Sequence, residues 1–88
     1  MDKTLKEVKD GEQAQKILDN PVYKDAVESV RKGIISSMAS SSLGDEKTHN
    51  RLVIALQLLS QIEKQLSDVM QTGKMAQIQT APKFRVFG

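Results

Sequence analysis

The stretch from Asp45 to Gly73, DEKTHNRLVIALQLLSQIEKQLSDVMQTG, constrains the fold more than any other part of the chain. Leu52, Leu59 and Leu66 recur every seven residues, and Ala55, Ile62 and Val69 form a second series three residues further on. Two interleaved apolar series at heptad spacing make an a/d seam, as in a coiled coil, so the spacing predicts one long amphipathic helix with a partner helix along that seam. The N-terminal half is apolar beyond the seam: Val53, Ile54, Leu56 and Leu58 leave only Gln57 and Ser60 as polar interruptions before Gln61. One neighbouring helix does not cover so wide a face. Self-association is therefore expected, with Leu52, Ala55, Leu59, Ile62, Leu66 and Val69 as the oligomer or partner interface.

The segments before it supply an antiparallel companion. Asn20 and Pro21 make a helix start, the Asn side chain as N-cap and the proline at the first helical position, where a missing amide hydrogen costs nothing. From Pro21 to about Ala39, Tyr23, Val27, Val30, Ile34 and Met38 step along one face, while Lys24, Asp25, Glu28, Arg31 and Lys32 take the other. Gly33 within this helix suggests the close approach of another backbone, or simple tolerance. Ser36, Ser37 and Ser40 to Gly44 end the helix and form a short connection, which makes the second and third helices a hairpin. Upstream, a short helix is expected from about Glu12 to Leu18, with Gly11 as an interruption; Thr72 and Gly73 offer a stop for the long helix, with Lys74, Met75, Ala76 and Gln77 able to prolong it by a turn. The long helix then overhangs its shorter partner, and the overhang is the expected place for another subunit. The fold class is all-α: a short N-terminal helix, then a hairpin with a long third helix, assembling into an oligomeric helical bundle.

At 88 residues there is room for one small domain, here residues 1–81, followed by a tail at 82–88. The chain has no cysteine and one histidine, so neither a disulfide nor a zinc constellation is available to reinforce it, and no cofactor is called for. No apolar run reaches the length of a membrane span, and the first residues lack a signal-peptide pattern; a soluble, intracellular protein with no membrane partner is expected. The formal charge of +2 is uneven, because residues 74–88 hold Lys74, Lys83 and Arg85 and no acid. Both phenylalanines lie in that tail, KFRVFG, which reads either as a loose terminus or, with more weight, as a docking segment using Phe84, Arg85 and Phe87.

Candidate chemistry is sparse. His49 has no nucleophile or second titratable group at a workable spacing, so it reads as a surface or interface histidine, and no catalytic residue is assigned. Tyr23 reads as packing. Arg31, Lys32, Lys47 and Arg51 flank the hairpin turn and would contact phosphates if the helix ends brought them together; a solvated charged surface is the plainer alternative.

Two stretches, ILDNPVYKDAVESV at 17–30 and QIEKQLSDVMQTGKMA at 61–76, resemble a family of small helical proteins encoded by tailed bacteriophages and prophages, often among head-assembly and DNA-packaging genes. The likeness rests on a packing pattern with a helix-opening Asn-Pro and a Thr-Gly-Lys stop; it does not reach the KFRVFG tail and carries over no catalytic residue. It implies a phage setting, in the infected host's cytoplasm or the virion. The expected function is a non-enzymatic accessory that self-associates and docks on a portal, terminase or capsid protein. Two alternatives stay open: a phage inhibitor or adaptor of a host protein, and a small DNA-binding packaging subunit resembling the small terminase.

Overall fold

The computed structural model describes residues 2–80; the expected docking residues Phe84, Arg85 and Phe87 lie outside them. Three helices follow one another: α1 (Asp2–Asp19), α2 (Pro21–Ser40) and α3 (Glu46–Thr80). The fold is all-α.

Asn20 is the only residue between α1 and α2, and it serves both. Its amide donates to the Ile17 carbonyl at 3.1 Å, closing α1. With φ −69° and ψ 121°, it turns the chain, and its side-chain oxygen accepts from the amides of Val22 (2.8 Å) and Tyr23 (3.1 Å), which α2 would otherwise leave unpaired. The other end of α2 closes on serines: the Ser41 hydroxyl donates to the Met38 carbonyl at 2.9 Å. A four-residue turn follows, with the Asp45 amide donating to the Ser42 carbonyl at 3.1 Å. Gly44 occupies its third position at φ +89°, a conformation that a side chain would strain. Asp45 then caps α3, its carboxylate accepting from the Thr48 amide at 3.1 Å.

α2 and α3 are antiparallel across this connection, tied by an ion pair from Arg31 to Glu63. Along α2, Tyr23, Val27, Ile34 and Met38 are partly buried, but Val30 is 52% exposed and Arg31 takes the inward place beside it. Glu63 on α3 is the reason: a guanidinium held by one carboxylate across the hairpin, and by Glu28 at 3.6 Å on its own helix, is satisfied where a valine would only be covered.

α1 departs from the sequence expectation. It is a full 18-residue helix that runs straight through Gly11. Gly11 lies directly on Gly73: a Cβ on Gly11 would stand 2.7 Å from the Gly73 Cα, and a Cβ on Gly73 would stand 2.7 Å from the Gly11 Cα. Gly73 is likewise inside its helix rather than at the end of it, and α3 continues to Thr80. Neither glycine is punctuation; each removes a side chain so that two backbones can touch. By contrast, nothing lies within 4 Å of a Cβ at Gly33, so that glycine is tolerated rather than needed.

The direction of α1 follows from its neighbours. Glu7 and Asp10, just before Gly11, share a cleft with Gln65, Asp68, Val69 and Thr72, just before Gly73. α1 and α3 are therefore parallel, with α1 residue n beside α3 residue n + 62, and the three helices run up, down and up. In this register Ala14 faces Ala76, and they are 3% and 2% exposed. With Gly11 and Gly73 they are the only residues classed as buried among those described.

α1 thus lies over the C-terminal part of α3, where an overhang open to another subunit was expected. Its first residue, Asp2, reaches α3 residue 64, and N-terminal to that point only α2 flanks the long helix. The molecule is a rod of 65 × 23 × 22 Å with a radius of gyration of 19.2 Å, where a compact chain of this length would have about 12 Å.

Candidate functional site

The predicted seam does not stay on one face of α3. Leu52, Ala55, Leu59 and Leu66 are partly buried, whereas Ile62 is 57% and Val69 37% exposed. A straight α-helix drifts about 20° per heptad against a 3.5-residue repeat. The inward line accordingly passes from Leu52, Ala55 and Leu59 to Glu63, Leu66, Met70 and Gly73, all at least partly buried. Ile62 and Val69 are left to one side.

They fall instead on a second line. Ile54, Leu58, Ile62, Gln65, Val69, Gly73 and Ala76 step by four, four, three, four, four and three residues, an average close to one turn, so they form a single stripe along the helix. α1 seats on the C-terminal part of this stripe, at Gly73 and Ala76. The N-terminal part, beyond the start of α1, is uncovered: Ile54, Leu58 and Ile62 are 53%, 59% and 57% exposed. Leu58, Ile62 and Leu66, with Gln61 and Gln65, line an open groove there. Beside it Ile54, Leu58 and Gln61 border a second shallow depression that extends to Lys64. Exposure of this kind is common for single side chains, but three in one row on successive turns form a contiguous apolar face.

The ends of the row differ in charge. Before Ile54, at the start of α3, stand Lys47 and Arg51, both exposed. Beyond Ile62 comes the cleft between α1 and α3, whose rim carries Glu7, Asp10 and Asp68. Asp10 is paired with Lys6 at 2.6 Å and Asp68 with Lys64 at 2.8 Å, both i,i+4 pairs open to solvent. The hydrogen bond from Lys6 to Asp10, with their mutual attraction, raises the Lys6 pKa above its ordinary value. Such surface pairs are readily rearranged, being worth little to the fold.

The four basic residues flanking the turn do not form one cluster. Arg31 is engaged by Glu63 and Glu28, and Glu63 is 16 residues beyond Lys47 on α3, about 24 Å along the axis. Lys32 is exposed near Arg31, while Lys47 and Arg51 sit at the far end beside the apolar row.

His49 is partly buried near the start of α3, and its Nε2 has no hydrogen-bond partner; the same holds for the Tyr23 hydroxyl. Asp45 has its carboxyl pKa lowered, first by the hydrogen bonds to Thr48 and then by the neighbouring His49. This is the signature of a helix cap. Among the described residues no group of three or more His, Cys, Asp or Glu side chains is placed to hold a metal ion. No described helix is long and apolar enough to cross a membrane.

The Gly11/Gly73 contact is not anticipated from the sequence, and of the exposed row only the excess of apolar residues at Ile54 and Leu58 is. A signal was present: Gly11 and Ala14 have the same spacing as Gly73 and Ala76, so each segment offers a small-residue patch to the other. Comparison with protein-family models, with curated proteins and with solved structures gives no match for the chain.

Proposed function

We propose that this chain is a non-enzymatic assembly module that works by burying the N-terminal half of α3 against another helix. In that role it acts as an accessory to a larger bacteriophage component of virion assembly or DNA packaging. The observation that carries the reading is the exposed row Ile54, Leu58 and Ile62 on a chain whose buried residues, among those described, are two glycines and two alanines. A monomer built this way leaves these three large apolar side chains more than half exposed, and covering them is the favourable step that association supplies.

The phage setting rests on the resemblance of residues 17–30 and 61–76, and docking on a portal, terminase or capsid protein falls to the tail residues Phe84, Arg85 and Phe87. A DNA-binding role gains less support, since Arg31 is occupied by two carboxylates. The test is co-migration on size exclusion of the full chain, and of a chain ending at Ala81, with purified portal, terminase and capsid proteins. The full chain is expected to self-associate and to bind one of them, and the shortened chain to self-associate only. A monomeric full chain whose partner binding survives the truncation would refute the reading. So would tight, exclusive binding to a host protein.

A further inference from the structure

We infer that the partner seated on the exposed row is the α3 helix of a second copy of this chain, running antiparallel and centred on Leu58. The inference rests on the self-association proposed above and adds the face, the direction and the register.

The apolar part of the row is symmetric about Leu58, with an isoleucine on either side, while its flanks carry unlike residues. Ile54 and Ile62 lie four residues to either side, Arg51 and Gln65 seven, and Lys47 and Val69 eleven. A twofold axis at Leu58 therefore places Leu58 on its counterpart and Ile54 on the second copy's Ile62. Such an interface is isologous: the same patch serves both copies.

Direction follows from charge. In the antiparallel pair, Arg51 and Lys47 of one copy come opposite Gln65 and Val69 of the other. These two residues, with Glu7, Asp10, Asp68 and Thr72, line the cleft between α1 and α3. The basic end of each α3 thus meets, twice per dimer, a cleft rim where Glu7, Asp10 and Asp68 outnumber the two lysines, Lys6 and Lys64, that pair with them. A parallel pair in register would set Lys47 and Arg51 against themselves and the acidic cleft against itself, which like charge disfavours. Geometry agrees for the centre of the pair: α1 reaches only α3 residue 64 by the register of Gly11 on Gly73, so Ile54, Leu58 and Ile62 are open, and beyond them the second helix runs beside α1. The start of the second α3 then lies against the cleft beside the first turns of α1.

Two measurements on the full chain test this. The protein has no cysteine, so Glu46→Cys gives a single site for a spin label, at an exposed position at the start of α3. In the antiparallel dimer the two labels are separated along the axis by 24 residues of helix, about 36 Å. A parallel pair brings them within one bundle width, about 20 Å. The second measurement uses charge-reversed chains. Lys47→Glu with Arg51→Glu makes both ends acidic, and Glu7→Lys with Asp68→Lys makes both basic. Each variant alone is expected to self-associate at least tenfold more weakly than the natural chain, and an equimolar mixture to recover association as a heterodimer. A short label distance, or a mixture no better than its components, would overturn the inference while leaving self-association through another face intact. A natural chain that stays monomeric would overturn both.

Discussion

The two halves of α3 are closed by different means. In the C-terminal half, α1 lies so near that neither Gly11 nor Gly73 has room for a Cβ, and the contact is made by backbone and by Ala14 and Ala76. In the N-terminal half α2 covers one side only, and Ile54, Leu58 and Ile62 stand more than half exposed. The first contact buries little apolar area per residue, so its strength comes from close packing over a long parallel run and vanishes if the helices are pushed apart. The second region holds the larger side chains. Completing the burial of three half-exposed aliphatic residues contributes about 3 kcal/mol per copy, which is set against the freedom lost on association. Small residues thus close the α1–α3 contact, and three large ones on the N-terminal half of α3 stay open to what lies outside the chain.

The difference can be broken most severely at Gly73. Gly73→Leu places a branched side chain into the Gly11 backbone, and the expected cost is about 2 kcal/mol or more. Thermal unfolding at fixed protein concentration measures it, and limited proteolysis should show α1 released while the α2–α3 hairpin persists. Asn20→Ala comes next: it removes the acceptor for two amides at the start of α2 and should cost about 1 kcal/mol. Gly33→Ala sharpens the comparison because its sign is reversed. No atom lies within 4 Å of the added Cβ, so the helix should gain between about 0.5 and 1 kcal/mol, seen as a rise of a few degrees in Tm.

The smallest effect is at Asp45. Its folded-state pKa is lowered, so the stability it contributes is present above the ordinary carboxylate pKa near 3.9 and is lost as pH falls through the lower folded value. A melting series in acid should show a slight decline below about pH 4 that Asp45→Ala flattens.

Where local chemistry decides the structure, the sequence is readable. Asn20-Pro21 announces the start of α2 because capping needs only those neighbours, and the serines with Gly44 announce its end. Gly11 and Gly73 mislead because an isolated glycine weakens a helix and is common at helix ends, while its use as a contact surface depends on a second glycine 62 residues away. The heptad seam is legible as an amphipathic helix, but its path is not: Ile62 and Val69 leave the inner face, as the drift of a turn of about 3.6 residues against a seven-residue repeat allows. Arg31 reads as an outward cation and turns inward because Glu63 waits on the other helix. The candidate surface was half visible, in that Ile54 and Leu58 exceed what one neighbour can cover. Its limits are set by where α1 stops, and that becomes evident only from the Gly11/Gly73 register.

The most direct test is the solution mass of the full chain and of Leu58→Asp, by light scattering coupled to size exclusion over a range of concentrations. Leu58 is 59% exposed in the single chain, so the substitution should leave helicity unchanged. The natural chain is predicted to rise with concentration from 9.8 kDa towards twice that mass, and Leu58→Asp to remain at 9.8 kDa throughout. Equal masses for the two proteins at every concentration would contradict the account.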